Sequence, residues 1–394
     1  MHSKQIQELE QDMVDVITSM ETRGLNVDLV ELDCLTNKIE SQKTELDRAL
    51  HEVLGISGHV RFNSSKVVSE ILSSKLEVKV QRTKSGRPST SRFILRNINN
   101  PITDQIISFR ELEDLLSSLK AINKATNKDT GKIFCSYVDT CPSGRLYTKD
   151  YSFQSIPELA RDVVYAEAGC SFVLADYDTF ELRILSALSH DTYFKDCWAR
   201  GLDLHRKAVS DMKGISYSSV TDKQRKLGKA IGFGISYGQE PMGLARNLHI
   251  SIGEADKLMV AYKKNIPEIE KYKQEQVKKA RIVGYSDSYY GRRRFLADIN
   301  SPNISARKKA ERQCINHQIQ STAADIVKMS MVKLHQAGFV MNVQLHDGIL
   351  FTVPDESLET AKAQIKSIME TEINGLKFPV TIRSGKTWLE CYGK

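Results

Sequence analysis

The sequence lacks long hydrophobic runs, and no stretch approaches the roughly eighteen apolar residues of a membrane-spanning helix. The first residues are polar and charged, so we expect no secretory signal there. Cysteine is scarce, seven in 394 residues, and none forms a CxxC pair, which argues against a disulfide framework and against a zinc site. No internal repeat or low-complexity tract is present. These absences predict a cytoplasmic protein that makes no contact with a membrane.

The composition is that of a soluble globular protein, with 41% hydrophobic and 27% charged residues, and the length allows two or three lobes. Residues 61–96 hold nine basic and two acidic side chains, an excess equal to the net charge of the whole chain, +7. Such a concentration suits the phosphates of a polyanion, although a solvated basic loop would look the same. Helical patterns cover 5–54 with a break at Gly24, then 109–122 and most of 180–337, and a polar connector spans 123–132.

One short stretch, "NVQLHDGILFTV" (342–353), predicts a β-hairpin, because Asp-Gly stands between two strand-like runs. Asp347 should therefore lie at or beside a tight turn. A carboxylate there often does no more than cap its own turn. A catalytic role would need a partner.

A partner is available at Asp176, which ends the apolar run "SFVLAD" before a helical pattern begins. Asp178 or Thr179 can cap that helix, and Asp178 is the better placed. Asp176 is therefore not needed as the helix cap. The two aspartates are 171 residues apart but can converge if their strands are neighbours in one sheet. Paired carboxylates hold Mg²⁺, and two such ions stabilise the attacking and leaving oxygens of a phosphoryl transfer.

The stretch "RKLGKAIGFGISYG" (225–238) supplies groups for a phosphate-bearing substrate. Arg225, Lys229, Phe233 and Tyr237 recur every four residues and so share one face of a helix, cations first and aromatics after. Three glycines inside this helix each cost up to about 1 kcal/mol relative to alanine. We expect something to approach the helix backbone closely, although an ordinary exposed face remains the alternative.

Together these motifs resemble family A DNA polymerases. "DYDTFELR" is similar to the family's motif A, "RKLGKAIGFGISYG" to motif B and "LHDGILF" to motif C, and further stretches resemble the family over almost the whole chain. The resemblance implies an α+β right-hand polymerase fold with an antiparallel-sheet palm, helical fingers and a helical thumb. It implies these parts: a palm-associated N-terminal segment (1–19), thumb (20–122), palm with motif A (123–189), fingers (190–303) and palm with motif C (304–394).

The resemblance also implies roles for matching residues. Asp176, Asp347 and the backbone of Tyr177 would hold two Mg²⁺ ions, with Mn²⁺ as a substitute, and Lys229 would act in catalysis. The incoming dNTP would contact Glu181 as a steric gate against a ribose 2′-hydroxyl, together with His205, Arg225, Lys229, Phe233 and Tyr237. The primer–template DNA would contact Arg145, Arg312, Asn316, Gln320, His346, Lys84 and Arg87. Arg312, Asn316 and Gln320 fall on one side of a helix, where Arg and Gln donors can meet the minor-groove acceptors common to all base pairs.

Two departures from the family pattern stand out. Gly348 occupies the position after His-Asp where the family usually has Glu, and Asp178 occupies a position that is commonly Ser. We expect activity to survive on the two aspartates, with Asp178 partly replacing the missing acid.

The expected activity is template-directed primer extension by a monomer that lacks 3′–5′ exonuclease and 5′ nuclease domains. Two alternatives remain open: a catalytically weakened primer–template binding protein, and an enzyme similar to single-subunit RNA polymerases. The sequence does not define the biological role or any accessory replication or repair proteins.

Overall fold

The computed structural model describes residues 2–80, 82, 86–138, 140–149, 151–248 and 250–393. Its α-helices are, in chain order, α1 (Lys4–Arg23), α2 (Leu29–Leu54), α3 (Ser65–Lys75), α4 (Arg92–Ile98), α5 (Pro101–Ala125), α6 (Phe180–Ser189), α7 (Thr192–Ala199), α8 (Leu204–Lys213), α9 (Asp222–Ser236), α10 (Pro241–Leu248), α11 (Ile252–Lys263), α12 (Pro267–Val283), α13 (Ile304–Gln336) and α14 (Leu358–Met369). Within the described ranges, no helix has both the length and the apolar character that crossing a membrane requires.

The strands are short except around the two aspartates. In chain order they are β1 (Leu25–Val27), β2 (Thr126–Asn127), β3 (Lys132–Ile133), β4 (Tyr137–Val138), β5 (Tyr147–Thr148), β6 (Val164–Tyr165), β7 (Cys170–Tyr177), β8 (Tyr285–Asp287), β9 (Arg293–Phe295), β10 (Val340–Leu345), β11 (Gly348–Pro354), β12 (Thr371–Ile373), β13 (Leu376–Phe378) and β14 (Val380–Gly385).

The chain divides into two compact units. The first contains residues 1–23, 136–149 and 169–384, and the second contains 24–135, 150–168 and 385–394. The boundaries of these two units differ from the predicted boundaries of palm, fingers and thumb, because the first unit holds all of 190–303 and most of 304–394. The division into palm, fingers and thumb therefore stays a prediction.

The first unit is built around a four-stranded sheet in the order β10-β11-β7-β14. Strand β7 is apolar without alternation, and Phe172 to Ala175 are all buried, with Val173 and Ala175 in the hydrophobic core of this unit. The long helix α13 contributes to this core, and Asn303 caps its N-terminus, where its side chain accepts hydrogen bonds from the backbone of Ser305 and Ala306. The sheet therefore gives β7 and β11 a rigid setting.

The second unit is mainly helical, with its own core between α2, α3 and α5. Helix α2 begins at Asp28, whose carboxylate accepts from the backbone of Val30 and Glu31, and it ends at Gly55 in the left-handed conformation. The predicted break at Gly24 is confirmed, since α1 ends at Arg23 and strand β1 follows. The predicted helix over 109–122 is also confirmed as part of α5, which buries Leu115, Leu116 and Leu119.

Candidate active site

The predicted hairpin around Asp347 is present. Strands β10 and β11 pair antiparallel with Leu345 opposite Gly348, which leaves His346 and Asp347 as a two-residue loop. The Asp-Gly pair does not fill the loop as the sequence signal suggests. His346 takes the left-handed backbone conformation (φ 54°), and Gly348 is the first residue of β11. Asp347 therefore lies at the tip of the hairpin, as predicted.

The two aspartates are brought together by the pairing of β11 with β7. Gly348 lies directly opposite Asp176, and the backbone N–H of Tyr177 donates to the carbonyl oxygen of Asp347 over 3.2 Å. The convergence of two strand-end carboxylates, inferred from sequence alone, is confirmed.

Gly348 has a steric reason in this arrangement. A Cβ atom at residue 348 would lie 2.8 Å from the Oδ1 atom of Asp176 and 2.9 Å from the backbone oxygen of Ala175. The glycine therefore allows β11 to approach β7 closely at the point where Asp176 leaves the strand.

Negative charge concentrates at this edge of the sheet. Asp176 is exposed at the surface, but desolvation by the protein atoms around it, with the charges of Asp347 and Asp178, raises the pKa of its carboxyl to about 6, against the opposing charge of Arg383. Burial likewise raises the pKa of Asp347, against Arg145 and His346. A cation at this edge would be favoured electrostatically.

The donor set suits a hard cation that keeps water and substrate ligands. Within the described part of the chain, no group of three or more His, Cys, Asp or Glu side chains forms a metal site. Two carboxylates with a backbone carbonyl at Tyr177 still fit Mg²⁺, which proteins commonly hold through one or two carboxylates together with waters and substrate phosphates. They do not fit the closed nitrogen and sulfur shells typical of structural zinc.

Asp178 does not cap the following helix, so that prediction is wrong. Its Oδ1 atom accepts a hydrogen bond of 2.7 Å from the hydroxyl of Thr381 on β14, which lies beside β7. Thr179 stands at the N-cap position of α6, but it has a left-handed backbone and makes no side-chain cap hydrogen bond. The Asp178 carboxylate therefore binds the neighbouring strand β14 and not the first turn of α6.

Arg145 and Glu181 form an ion pair beside the aspartates. The Nη2 atom of Arg145 donates to Oε1 of Glu181, and both side chains are largely buried, 21% and 11% exposed. Burial raises the pKa of Glu181, Arg145 opposes the rise, and Asp347 adds to it. The resemblance predicts that Arg145 contacts DNA and that Glu181 contacts the dNTP, and it does not predict that the two residues pair with each other.

The stripe on α9 forms as predicted. Phe233 and Tyr237 stack with centroids 6.3 Å apart, and the ammonium of Lys229 lies 5.8 Å from the Phe233 ring centroid. Arg225 is not free, because its Nε and Nη2 atoms donate to Oδ2 of Asp203 over 2.9 and 2.7 Å. Asp203 is itself held in place as the N-cap of α8, where its Oδ1 atom accepts a hydrogen bond from the backbone N–H of Arg206 over 2.8 Å.

The predicted close approach to the α9 backbone is confirmed, but the protein itself makes it. A Cβ atom at Gly228 would lie 2.6 Å from the backbone oxygen of His205, and one at Gly232 would lie 2.6 Å from the hydroxyl of Tyr262. These glycines let α9 pack against α8 and α11 and give no evidence of a ligand. Burial, with the charges of Arg225 and Lys229, lowers the pKa of His205 to about 4, so His205 is neutral near pH 7.

The remaining predicted DNA contacts are dispersed. Arg312, Asn316 and Gln320 follow one another along α13, and Arg312 lies next to Gly238, where a Cβ atom would be 3.1 Å from its Cγ. Among the described atoms, Oδ1 of Asn316 is buried and has no hydrogen-bond partner. Arg87 lines a cleft of the second unit with Lys66, Arg82 and Arg110. Lys84 lies outside the described residues.

Known proteins share both the sequence and the fold. The sequence profile of DNA polymerase family A matches residues 30–390. The thermostable DNA polymerase I of Thermus filiformis is 32% identical over 402 residues, 98% of this chain and 48% of that protein. DNA polymerase I of Deinococcus radiodurans is 31% identical over 405 residues, 98% of this chain and 42% of that protein. The chain thus spans about half the length of these relatives.

A solved structure extends the likeness to three dimensions. The POL domain of Pol1 from M. smegmatis, in complex with DNA primer-template and dNTP, superposes with a TM-score of 0.89 at 27% sequence identity. The match covers 97% of this chain and 70% of that one.

Proposed function

This chain belongs to DNA polymerase family A, and on that basis we propose that it extends a primer 3′ end with dNTPs as directed by a DNA template. The observation that carries the proposal is the β7–β11 register, which sets Asp176 beside Gly348 and Asp347 at one sheet edge. The raised pKa values of Asp176 and Asp347 mean that their negative charges oppose folding, and bound cations would offset this cost.

In this proposal, Asp176, Asp347 and the Tyr177 carbonyl hold two Mg²⁺, which supply charge stabilisation to the attacking 3′-oxygen and the departing pyrophosphate. Mn²⁺ would serve as a substitute.

The helix α9 faces the triphosphate with Lys229, which is exposed and has no competing carboxylate within salt-bridge distance among the described residues. Arg225 can also contact the triphosphate only if its guanidinium binds Asp203 and the phosphate together or if its ion pair with Asp203 breaks. His205, uncharged near neutral pH, contributes a hydrogen bond to the nucleotide rather than a positive charge. Phe233 and Tyr237 offer a stacked aromatic surface to the sugar and base.

We assign selection of the sugar to Glu181, whose carboxylate Arg145 holds in one orientation. Arg312, Asn316, Gln320 and His346 would contact the primer–template near the forming pair. Arg87, with Lys84 in the same basic segment, would contact phosphates.

Primer extension on a defined template, with each dNTP and each rNTP in Mg²⁺ and in Mn²⁺, tests the proposal. We expect dNTP incorporation by the wild-type chain, and a loss of about 100-fold or more in Asp176→Asn and Asp347→Asn, because metal-assisted charge stabilisation is worth several kcal/mol. Asp196→Asn is the matched control, since Asp196 is an exposed aspartate whose salt bridge is to Arg200, four residues away.

Two results would contradict the proposal. Tight primer–template binding with no extension in either metal would identify a binding protein. Extension with rNTPs in preference to dNTPs would identify an enzyme of the RNA polymerase type.

A further inference from the structure

A largely buried network of charged side chains lies in the first unit. The Nε atom of Arg292 donates to Oδ1 of Asp325 over 2.7 Å, and its Nη2 atom donates to Oε1 of Glu10. Lys328 donates to both carboxylate oxygens of Glu10, over 2.9 and 2.7 Å. Arg292, Asp325 and Lys328 are all at most 4% exposed. The network joins α1, the β8–β9 turn and α13.

Arg292 is held at its backbone as well as at its side chain. Its N–H donates to the hydroxyl of Ser288 over 3.0 Å, and its carbonyl accepts from the Nε2 atom of His317 over 2.8 Å. The Ser288 hydroxyl in turn donates to Oδ2 of Asp325. Each buried charge thus has its partners, which is the condition under which such a network fixes a geometry rather than loosening the core.

The fixed guanidinium lies against the backbone of Gly144. A Cβ atom at residue 144 would be 2.4 Å from Nε and 2.5 Å from Cζ of Arg292, so only glycine fits. Gly144 also has a left-handed backbone (φ 75°) and closes a turn by donating to the carbonyl of Cys141 over 2.8 Å. The network therefore reaches a residue that is directly bonded to Arg145.

Arg145 is the partner on which Glu181 depends. The Oε1 atom of Glu181 accepts from Arg145, while Oε2 is buried without a hydrogen-bond partner among the described residues. A carboxylate held by one side chain alone can rotate if that side chain shifts.

We propose that Arg292 is a positioning residue for nucleotide selection: clamped by Glu10 and Asp325, it packs on Gly144 and so fixes Arg145 against Glu181. The inference rests on the proposed polymerase function and deepens it. It makes the N-terminal helix α1 part of the selection apparatus, although no residue of α1 touches the nucleotide in this scheme.

The test compares kcat/KM for a dNTP with that for the matching rNTP in wild type, Glu10→Gln and Arg292→Lys. Both variants keep the size of the side chain but weaken the clamp. Glu270→Gln is the matched control, because Glu270 is also about one-quarter exposed (24%, against 26% for Glu10) and also binds two cations, Lys263 and Lys273, elsewhere in the first unit. Thermal unfolding of each variant establishes that it is folded at the assay temperature.

We expect the dNTP preference to fall by about tenfold or more in both clamp variants and to be unchanged in Glu270→Gln. In a Glu181→Gln background the same clamp substitutions should cause no further fall, because their effect passes through Glu181. A purely structural role would not produce this non-additivity.

The inference is overturned if Glu10→Gln and Arg292→Lys keep the wild-type preference for dNTP over rNTP and show only a lower unfolding temperature. That is the behaviour expected of the control, Glu270→Gln. The inference is also overturned if the effects of the two clamp variants simply add to that of Glu181→Gln. A wild-type chain that extends no primer would instead defeat the proposed function, which separates the two failures.

Discussion

Gly348 stands where the resemblance to family A predicts Glu, and it allows a sharp test of the site geometry. The first side-chain atom of any other residue would meet the Asp176 carboxylate at 2.8 Å and the Ala175 carbonyl at 2.9 Å. The second contact is with backbone, so a rotamer change cannot relieve it. Ordinary contact distances require β11 and β7 to separate locally by about 0.5 Å.

We expect Gly348→Ala to cost about 1–3 kcal/mol of unfolding free energy, the usual range for overpacking a well-packed site. For a unit of this size that corresponds to a fall in Tm of about 2–6 °C. The same displacement separates Asp176 from Asp347, and errors well below 1 Å in a catalytic geometry already reduce rate, so primer extension should fall about tenfold.

Gly348→Glu introduces the acid that the resemblance predicts at this position, yet this variant should be no more active than Gly348→Ala. Its carboxylate begins from the same obstructed Cβ position, so we expect no decrease in the Mg²⁺ concentration needed for half-maximal extension. Thermal unfolding in EDTA and Mg²⁺ titrations of single-nucleotide extension measure both effects.

Gly253→Ala is the control. Gly253 lies in α11, and no atom of the described residues lies within 4 Å of its Cβ position, so alanine there should leave activity unchanged and raise stability slightly. Wild-type Tm and rate in Gly348→Ala, or a lower Mg²⁺ requirement in Gly348→Glu, would refute the steric reasoning.

Two further predictions concern charge. Asp176→Asn should raise Tm in metal-free buffer at pH 8. The pKa of Asp176 is raised to about 6 in the folded protein, so the ionised carboxylate opposes folding. The increase in Tm should therefore shrink as the pH falls from 6 toward 4, where the carboxyl becomes protonated. Allowing for solvent screening, we expect about 1 kcal/mol, or about 2 °C, in differential scanning fluorimetry, and an equal shift at pH 8 and pH 4 would show that ionisation of Asp176 is not its cause. Arg87→Ala should weaken primer–template binding similarly for all sequences and reduce the slope of log Kd against log salt by about one, measured by fluorescence anisotropy. An unchanged slope would show that Arg87 makes no phosphate contact.

The features that sequence predicted correctly have local signals. An unbroken apolar run ending at Asp176 and an Asp-Gly pair between two such runs identify two strand ends, and pairing of those strands brings the aspartates together. The four-residue spacing on α9 and the break at Gly24 are equally local. Hydrophobic pattern and turn chemistry are enough for features of this kind.

The features that sequence missed depend on partners distant along the chain. Thr381 takes the Asp178 carboxylate that helix capping would have used, and Arg145 meets Glu181 across 36 positions. No periodic pattern marks either pair. The glycines of α9 illustrate a further limit: sequence shows that a close approach is needed, but not whether a ligand or a neighbouring helix makes it.

The pairing of β7 with β11 also has a consequence for how the protein is made. Asp176 leaves the ribosome 171 residues before Asp347, an interval of about 10–30 s at common rates of synthesis. Throughout that time β7, an apolar strand, lacks both of its hydrogen-bonding neighbours, because β11 and β14 follow later in the chain, and its edges are open to association with other nascent chains. Newly made protein should therefore gain catalytic competence in one late step, and chaperones that shield strand edges should raise its yield more than its specific activity.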